Sequence, residues 1–323
     1  MRRNRHYGQV ISAALVTWGV MTLAAALPPT TAPSREWPVE VFDYDRPIEL
    51  QVRDRPDEPQ RRPAGTRQRQ VIFKDLAGED VPVLITLPER GRGPFPVVVL
   101  VHGFSSNKHQ VTRQLGKALT DRGLACLAAD MPKHGDRPGP PKDLFVADQP
   151  QETYRRIVQA VQDIRQTIDL AESLKELDTS KGVGLLGYSM GAWFGALAGA
   201  AERRVQALVL MVGGSAAVDV AQETDTSEEL DDRQARAGRL NVLRRFAAIR
   251  PLEAIPGFAP RPILMQNGRR DWLVPAERAK ALFAAAKEPK EQRWYDAGHL
   301  LGAKAYEEAA DWLAKHMKRP EHR

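Results

Sequence analysis

The sequence contains a single cysteine, Cys126, among 323 residues. No disulfide can form within the chain, and a metal site built from several cysteines is excluded. Cys126 stands in the apolar segment LACLAAD, which predicts a buried strand residue rather than a reactive thiol.

The sequence also lacks the kind of basic cluster that binds nucleic acid. Its formal net charge is +6, but the arginines are concentrated in the first seventy residues, where the later ones mix with acids and prolines. A nucleic-acid site needs positive charge gathered on a helix or beside aromatic residues. We therefore exclude nucleic acid as a partner and interpret these arginines as a solvated basic linker, with an anion-binding or membrane-surface patch as the alternative.

One apolar run, residues 10–27, is close to the minimum length of a membrane-spanning helix. It follows the positively charged segment MRRNRHYGQ, and Ala24 and Ala26 have the small-x-small spacing that signal peptidase accepts. We expect residues 1–27 to be a signal peptide, or an uncleaved membrane anchor through residues 10–27. No cysteine stands directly after the run, which excludes a lipoprotein anchor. The expected location is periplasmic or secreted.

The rest of the chain divides into a linker and one domain. Residues 28–66 are rich in proline and charge, which predicts a linker or loosely packed arm containing one edge strand, VFDYDRPIELQV. The β-branched runs RQRQVIFK and VPVLITLP flank DLAGED and predict a hairpin. Beyond them, continuous apolar runs alternate with helical segments, the pattern of buried parallel strands. We therefore expect an α/β domain over residues 67–319, with a mostly parallel sheet and helices on both faces.

A polar, charged segment, residues 214–260, interrupts this alternation. We predict that it is mainly helical. It is placed where a cap or lid could cover a pocket, and the alternative is a solvated surface excursion.

The pentapeptide GYSMG matches the pattern G-x-S-x-G, in which a serine occupies a sharp turn between a strand and a helix. The apolar GVGLL before it predicts the strand, and the small residues of MGAWFGALAGA after it predict a helix packed closely on the sheet. Gly187 and Gly191 would leave room in the crowded turn, and the helix N-terminus would direct its positive dipole end at Ser189. The pattern predicts that Ser189 is a nucleophile.

A serine hydroxyl becomes reactive when a base removes its proton, and the seven histidines are the candidates for that base. His299 in YDAGHL comes directly after the last predicted strand, in a loop that could swing over Ser189. We predict that His299 is the base. His134, in the loop DMPKHGDRPG, is predicted to be structural or to line a pocket.

The imidazole needs a carboxylate that fixes its tautomer and stabilises its charged form. Asp271 lies just beyond a buried strand in ILMQNGRRDWLVP and is the predicted partner. Asp296 is the rival, but its position at the end of the same strand as His299 suits it better to holding the loop.

Five segments of the chain between Val71 and Met317 resemble motifs of the α/β-hydrolases, in particular the bacterial serine esterase and dienelactone-hydrolase-like branch. The segments are VVVLVHGFSSNK, AADMPKHGDRPG, GYSMGA, NGRRDWLVP and DAGHL. The resemblance implies an eight-stranded sheet and an oxyanion hole formed by the backbone amides of Phe104 and Met190. Dienelactone hydrolases carry a cysteine nucleophile, whereas this chain has serine at the corresponding position, which favours ordinary ester hydrolysis.

The function expected from these residues is hydrolysis of a small-molecule or polymeric carboxylic ester through an acyl-enzyme, with no metal or organic cofactor. Trp193, Trp272 and His134 are predicted to line the substrate pocket. A serine peptidase related to prolyl oligopeptidases is an alternative, although no segment is long enough to form the propeller of those enzymes. A non-catalytic binding module of the cell envelope is the third reading.

Overall fold

The structure, a computed structural model, describes residues 37–56, 62–146, 149–215 and 249–317. The predicted signal peptide or anchor (1–27) and most of the predicted cap (216–248) lie outside the described residues. Among the residues that are described, no helix has the length and apolar character needed to cross a membrane.

Three antiparallel strands form one edge of the sheet: β1 (Arg53–Arg55), β2 (Thr66–Lys74) and β3 (Asp80–Pro88). The predicted hairpin is β2 and β3, which pair from Thr66 opposite Pro88 to Lys74 opposite Asp80. Asp75 closes the turn between them, because its Oδ1 accepts hydrogen bonds from the Ala77 and Glu79 amides at 2.9 and 2.8 Å.

The predicted edge strand VFDYDRPIELQV is wrong. Residues Val39–Phe42 form a 3-10 helix, and the edge strand is β1, which starts just after the predicted segment. The reason is burial: the Phe42 side chain is fully enclosed in the core and packs on Trp37, with ring centroids 5.6 Å apart. Arg165 donates to the Phe42 carbonyl and Arg46 pairs with Asp169 at 2.8 Å, so this part of the predicted linker is packed on the domain.

Seven further strands complete the sheet, and all of them except the two-residue strand and the last strand are almost entirely buried. They are β4 (Phe95–Val101), β5 (Ala125–Ala129), β6 (Leu177–Asp178), β7 (Val183–Tyr188), β8 (Val205–Met211), β9 (Ile263–Gly268) and β10 (Lys290–Tyr295). The order is β1-β2-β3-β5-β4-β7-β8-β9-β10, with β6 beside β4, and the strands from β5 to β10 are mutually parallel. The sheet of the described residues thus has ten strands where eight were expected. The sequence patterns did not predict the two-residue strand β6, and they placed the edge strand before β1.

Helices cover both faces of the sheet, as predicted. They are α1 (Lys108–Thr120), α2 (Pro150–Ser173), α3 (Met190–Ala201), α4 (Pro251–Ala254), α5 (Ala276–Ala285) and α6 (Ala303–Met317). Successive side chains of a strand point to opposite faces. Accordingly, Val97 and Val99 of β4 share a core with α2 and α3, whereas Val98 and Leu100 share the other core with α1 and α6.

The last part of the predicted cap belongs to the core rather than to a cover. In α4 and in the 3-10 helix Ile255–Phe258, the side chains of Ala254, Ile255 and Phe258 are buried with those of α3. The guanidinium of Arg261 donates to the carbonyls of Gly199, Glu202 and Val205, which ties this segment to the end of α3.

Candidate active site

Four loops meet at one edge of the sheet, because the carboxyl ends of parallel strands point the same way. They follow β4, β7, β9 and β10, and they carry Gly103, Ser189, Asp271 and His299 respectively. Residues that lie far apart in the sequence are thereby brought together.

Ser189 occupies the sharp turn between β7 and α3. Its φ of 56° and ψ of −117° are an unusual backbone conformation for a residue with a side chain, and such conformations cost about 1–3 kcal/mol. The turn requires both flanking glycines. A Cβ at Gly187 would lie 2.1 Å from the Gly191 carbonyl oxygen, and one at Gly191 would lie 2.1 Å from the Val101 carbonyl oxygen.

A chain of hydrogen bonds connects Asp271, His299 and Ser189. The His299 Nε2 lies 2.8 Å from Ser189 Oγ, and the His299 Nδ1 lies 2.9 Å from Asp271 Oδ2. Because a carboxylate only accepts, His299 donates its Nδ1 proton to Asp271, which leaves Nε2 of the neutral ring as the acceptor for the serine hydroxyl. This arrangement prepares the hydroxyl to lose its proton.

The two oxygens of Asp271 have different partners. Oδ1 accepts hydrogen bonds from the amides of Leu273 and Val274, each at 3.0 Å, and Oδ2 faces His299. The carboxylate is buried, so these bonds fix its orientation. The rival, Asp296, is exposed and pairs with Arg270 at 3.1 Å, and the structure brings Asp271 rather than Asp296 to the ring of His299.

The loop after β4 passes directly beside Ser189. A Cβ built on Gly103 would lie 3.3 Å from the Ser189 Cβ, a tighter contact than most Cβ atoms make, so glycine eases the approach. The amide of Phe104 follows in this loop, and the amide of Met190 is the first of α3. Within the described residues neither amide donates a hydrogen bond, so both are free to bind an oxygen beside Ser189.

His102 holds the loop after β4 from beneath, a role that sequence reasoning missed. Its Nδ1 donates to the Gly103 carbonyl at 2.8 Å, and its Nε2 accepts from the Met131 amide at 3.0 Å. Complete burial lowers the pKa of His102 to about 4, so the ring is neutral at neutral pH, as an accepting Nε2 requires. The sequence signal was its position, directly before Gly103 at the end of a buried strand.

A buried ion pair, also missed, joins the loops after β4 and β5. Lys108 Nζ lies 2.7 Å from Asp130 Oδ2, and both side chains are fully enclosed. The Asp130 carboxylate also accepts hydrogen bonds from the backbone amides of Lys108 and Asp136, each at 2.9 Å. Gly135 has a φ of 60°, and a Cβ there would lie 2.2 Å from the Asp130 carboxylate, which explains the glycine in KHGD.

The three residues predicted to line a pocket have different surroundings. His134 is buried and meets the ring of Phe104 edge to face, with centroids 5.4 Å apart. Trp193 is also buried, stacks on Phe145 and donates its indole N–H to the Ile249 carbonyl at 3.1 Å. Trp272, next to Asp271, is 79% exposed. Phe145, which the sequence did not single out, connects Phe104 and Trp193 into one aromatic row.

In the described ranges, no group of three or more histidine, cysteine, aspartate or glutamate side chains is arranged to hold a metal ion.

Sequence and structure comparisons identify known proteins that this chain resembles. The sequence is 26% identical over 228 residues to Esterase YjfP of Escherichia coli strain K12, a match that covers 68% of this chain and 85% of that protein. The acetyl xylan esterase from Paenibacillus sp. R4 superposes with a TM-score of 0.65 at 19% identity, covering 87% of this chain and 92% of the other. Acetyl xylan esterase 1 from Thermoanaerobacterium sp. JW/SL YS485 gives a TM-score of 0.66 at 18% identity, with the same coverage.

The sequence model described as "Alpha/beta hydrolase family" matches residues 98–315. This match spans more than half of the chain, and it extends from β4 to α6, across all four loops that meet beside Ser189. The chain therefore belongs to the alpha/beta hydrolase family.

Proposed function

We propose that this protein hydrolyses carboxylic esters, with Ser189 as nucleophile, His299 as general base and acid, and Asp271 as the carboxylate that orients His299. The observation that carries the proposal is the continuous hydrogen-bonded chain from Asp271 through His299 to the Ser189 hydroxyl. Esterase YjfP and the two acetyl xylan esterases, by their names, support the same reaction class.

In the first half of the reaction, Ser189 Oγ attacks the ester carbonyl carbon while its proton passes to His299 Nε2. The ring becomes an imidazolium, which the Asp271 carboxylate stabilises across the 2.9 Å contact. The amides of Phe104 and Met190 donate hydrogen bonds to the carbonyl oxygen and stabilise the negative charge that develops on it. One such donor contributes about 3–4 kcal/mol to transition-state stabilisation.

The tetrahedral intermediate then collapses. The bond to the alcohol oxygen breaks, His299 returns its proton to that oxygen, and an acyl group remains on Ser189. In the second half, His299 takes a proton from water, the resulting hydroxide attacks the acyl carbon, and the free acid leaves as Ser189 regains its proton. All protons and electron pairs are accounted for by Ser189, His299, the ester and water.

The direct test is esterase activity of the purified full-length protein on p-nitrophenyl acetate, compared with Ser189→Ala. We expect the substitution to lower kcat by at least about four orders of magnitude, because activated nucleophiles contribute this much in related chemistry. A fluorophosphonate probe should label the wild type and leave Ser189→Ala unlabelled. A loss of less than about tenfold would contradict the proposed nucleophile.

A panel of substrates distinguishes an esterase from a peptidase and from a binding module. Acetylated xylan represents the class named for the two structural relatives, and peptide p-nitroanilides represent the peptidase reading. We expect the esters to be cleaved and the peptides to remain intact. A protein that binds the fluorophosphonate but cleaves only peptides would support the peptidase instead, and a protein that does neither would support a binding module.

We also infer that the enzyme acts outside the cytoplasm. The support is the sequence of residues 1–27, with its positive flank, apolar run and small residues at 24 and 26. Cell fractionation with N-terminal sequencing of the recovered protein tests this. A new N-terminus shortly after residue 26 indicates a cleaved signal peptide, an intact N-terminus in the membrane fraction indicates an anchor, and recovery from the cytoplasm contradicts both.

A further inference from the structure

The hydroxyl of Tyr188 connects the strand that carries Ser189 to the loop that carries His299. Tyr188 is the last residue of β7 and directly precedes Ser189. Its hydroxyl donates to the His299 carbonyl at 2.8 Å and accepts from the Leu301 amide at 3.4 Å. One rigid side chain therefore contacts the backbone on both sides of Leu300.

Other contacts of this loop lie nearer its start. The Ala297 carbonyl accepts from the Arg270 amide at 2.9 Å, and the Asp296 carbonyl accepts from the Arg270 side chain, also at 2.9 Å. Within the described part of the chain, the carbonyl of His299 itself has Tyr188 as its only hydrogen-bond donor. The backbone of His299 is thus located by the residue next to Ser189.

The ring of Tyr188 also limits how the imidazole can move. The two rings meet edge to face, with centroids 6.3 Å apart and planes at 83°. Tyr188 is itself enclosed, with 5% of its surface exposed, and the centroid of its ring lies 6.4 Å from that of the Tyr306 ring. Burial, and then Tyr306, raise the pKa of the Tyr188 hydroxyl above its ordinary value, so it keeps the proton that it donates.

We propose that Tyr188 is a positioning residue, which holds His299 at hydrogen-bond distance from Ser189 by fixing the backbone of the histidine loop. The inference rests on the proposed function for its kinetic meaning. A general base that drifts by about 1 Å can lose roughly a hundredfold in rate, so a short rigid connection between neighbouring elements has a direct catalytic effect.

The test compares Tyr188→Phe with a matched control, Tyr295→Phe. Tyr295 ends β10, and its hydroxyl likewise donates one hydrogen bond, to Glu308, and accepts one, from Gln266. Both substitutions remove one hydroxyl together with its hydrogen bonds, but only Tyr188→Phe frees the loop backbone. With p-nitrophenyl acetate we expect Tyr188→Phe to lower kcat at least tenfold with KM within twofold, and Tyr295→Phe to keep kcat within twofold.

A second measurement does not depend on activity. The His299 Nδ1 proton in its bond to Asp271 should give a far-downfield proton resonance, as protons shared with a buried carboxylate do. We expect this signal to broaden or vanish in Tyr188→Phe and to persist in Tyr295→Phe. Unchanged kcat and an unchanged signal in Tyr188→Phe, or an equal loss in Tyr295→Phe, would overturn the positioning role.

Hydrogen exchange on the wild type covers the case in which Tyr188→Phe does not fold. The Leu301 amide should exchange far more slowly than that of the exposed neighbour Leu300, because it donates to Tyr188, and equal rates would overturn the proposal. Failure of the proposed function has a different signature. The wild type would then lack activity, or Ser189→Ala would retain it, whereas the proton resonance and the exchange rates would still report on Tyr188.

Discussion

Lys108 and Asp130 lie 22 residues apart in the sequence and form an ion pair of 2.7 Å between side chains that have no exposed surface. Lys108 is the first residue of α1, directly after the loop that carries Phe104, and Asp130 directly follows β5. The pair therefore couples the loop beside Ser189 to the loop that carries His134.

We expect Lys108→Met to destabilise the protein by about 3 kcal/mol or more, because it leaves the buried carboxylate of Asp130 without its cation. The measurement is the free energy of unfolding in urea. Lys117→Met is the matched control, since Lys117 lies in the same helix and pairs with Asp121 at 2.6 Å, but with both partners about half exposed. That substitution should cost less than about 1 kcal/mol. Equal costs for the two variants would contradict this account of the buried pair.

The sequence predicted those features that local patterns determine. Continuous apolar runs predicted β4, β5 and β7 to β9, and GYSMG predicted the turn at Ser189, because a hydrophobic pattern or a pentapeptide carries that information. The predicted edge strand was wrong at its start, where Val41 and Phe42 belong to a 3-10 helix, since the conformation there depends on Phe42 entering a core that other segments build. No local pattern could show such long-range burial.

The candidate site divides in the same way. Ser189, Asp271 and His299 were singled out because each follows a predicted strand in an order that is characteristic of one fold. The sequence did not predict the residues that stabilise these loops, because their contacts join positions that no motif connects. These residues are His102, Lys108, Asp130 and Tyr188. Tyr188 lies within the pentapeptide GYSMG, but at a position where the pattern allows any residue.

His102 should make stability depend on pH. Burial holds its pKa at about 4 in the folded protein, below the ordinary value of 6.5. At a pH between these two pKa values, His102 binds a proton in the unfolded chain but not in the folded chain. The stability of the protein therefore decreases as the pH falls from about 6.5 to about 4. The full contribution is about 3 kcal/mol, since each pKa unit corresponds to about 1.4 kcal/mol.

The measurement is the change in the free energy of unfolding between about pH 7 and about pH 4, for the wild type and for His102→Asn. Comparing the changes, rather than the absolute values, removes the constant cost of the substitution. Burial also lowers the pKa of His134, which contributes in the same direction in both proteins. We expect the wild type to lose about 3 kcal/mol more than the variant over this range. Parallel pH curves would show that His102 does not titrate as its burial requires.

Trp272 offers a test of the predicted substrate pocket at its most open point. The indole is 79% exposed and directly follows Asp271, and Leu300, 69% exposed, directly follows His299. Apolar groups at such positions gain about 25 cal/mol for each Å² that a substrate covers, and only a long substrate covers them. We expect Trp272→Ala to lower kcat/KM about tenfold for p-nitrophenyl octanoate, a change of about 1.4 kcal/mol, and less than about twofold for the acetate.

Leu76→Ala is the control for this experiment, because Leu76 is 46% exposed in the turn between β2 and β3 and follows no site residue. It should leave both substrates unaffected. A parallel series of acetates with longer alcohols shows which side of the ester reaches the indole, since the loss caused by Trp272→Ala should grow with chain length in one series alone. Because the acetate reports the chemistry of Ser189 and the longer esters report contact beyond it, an equal loss on every ester would assign Trp272 to supporting the Asp271 loop instead of binding substrate.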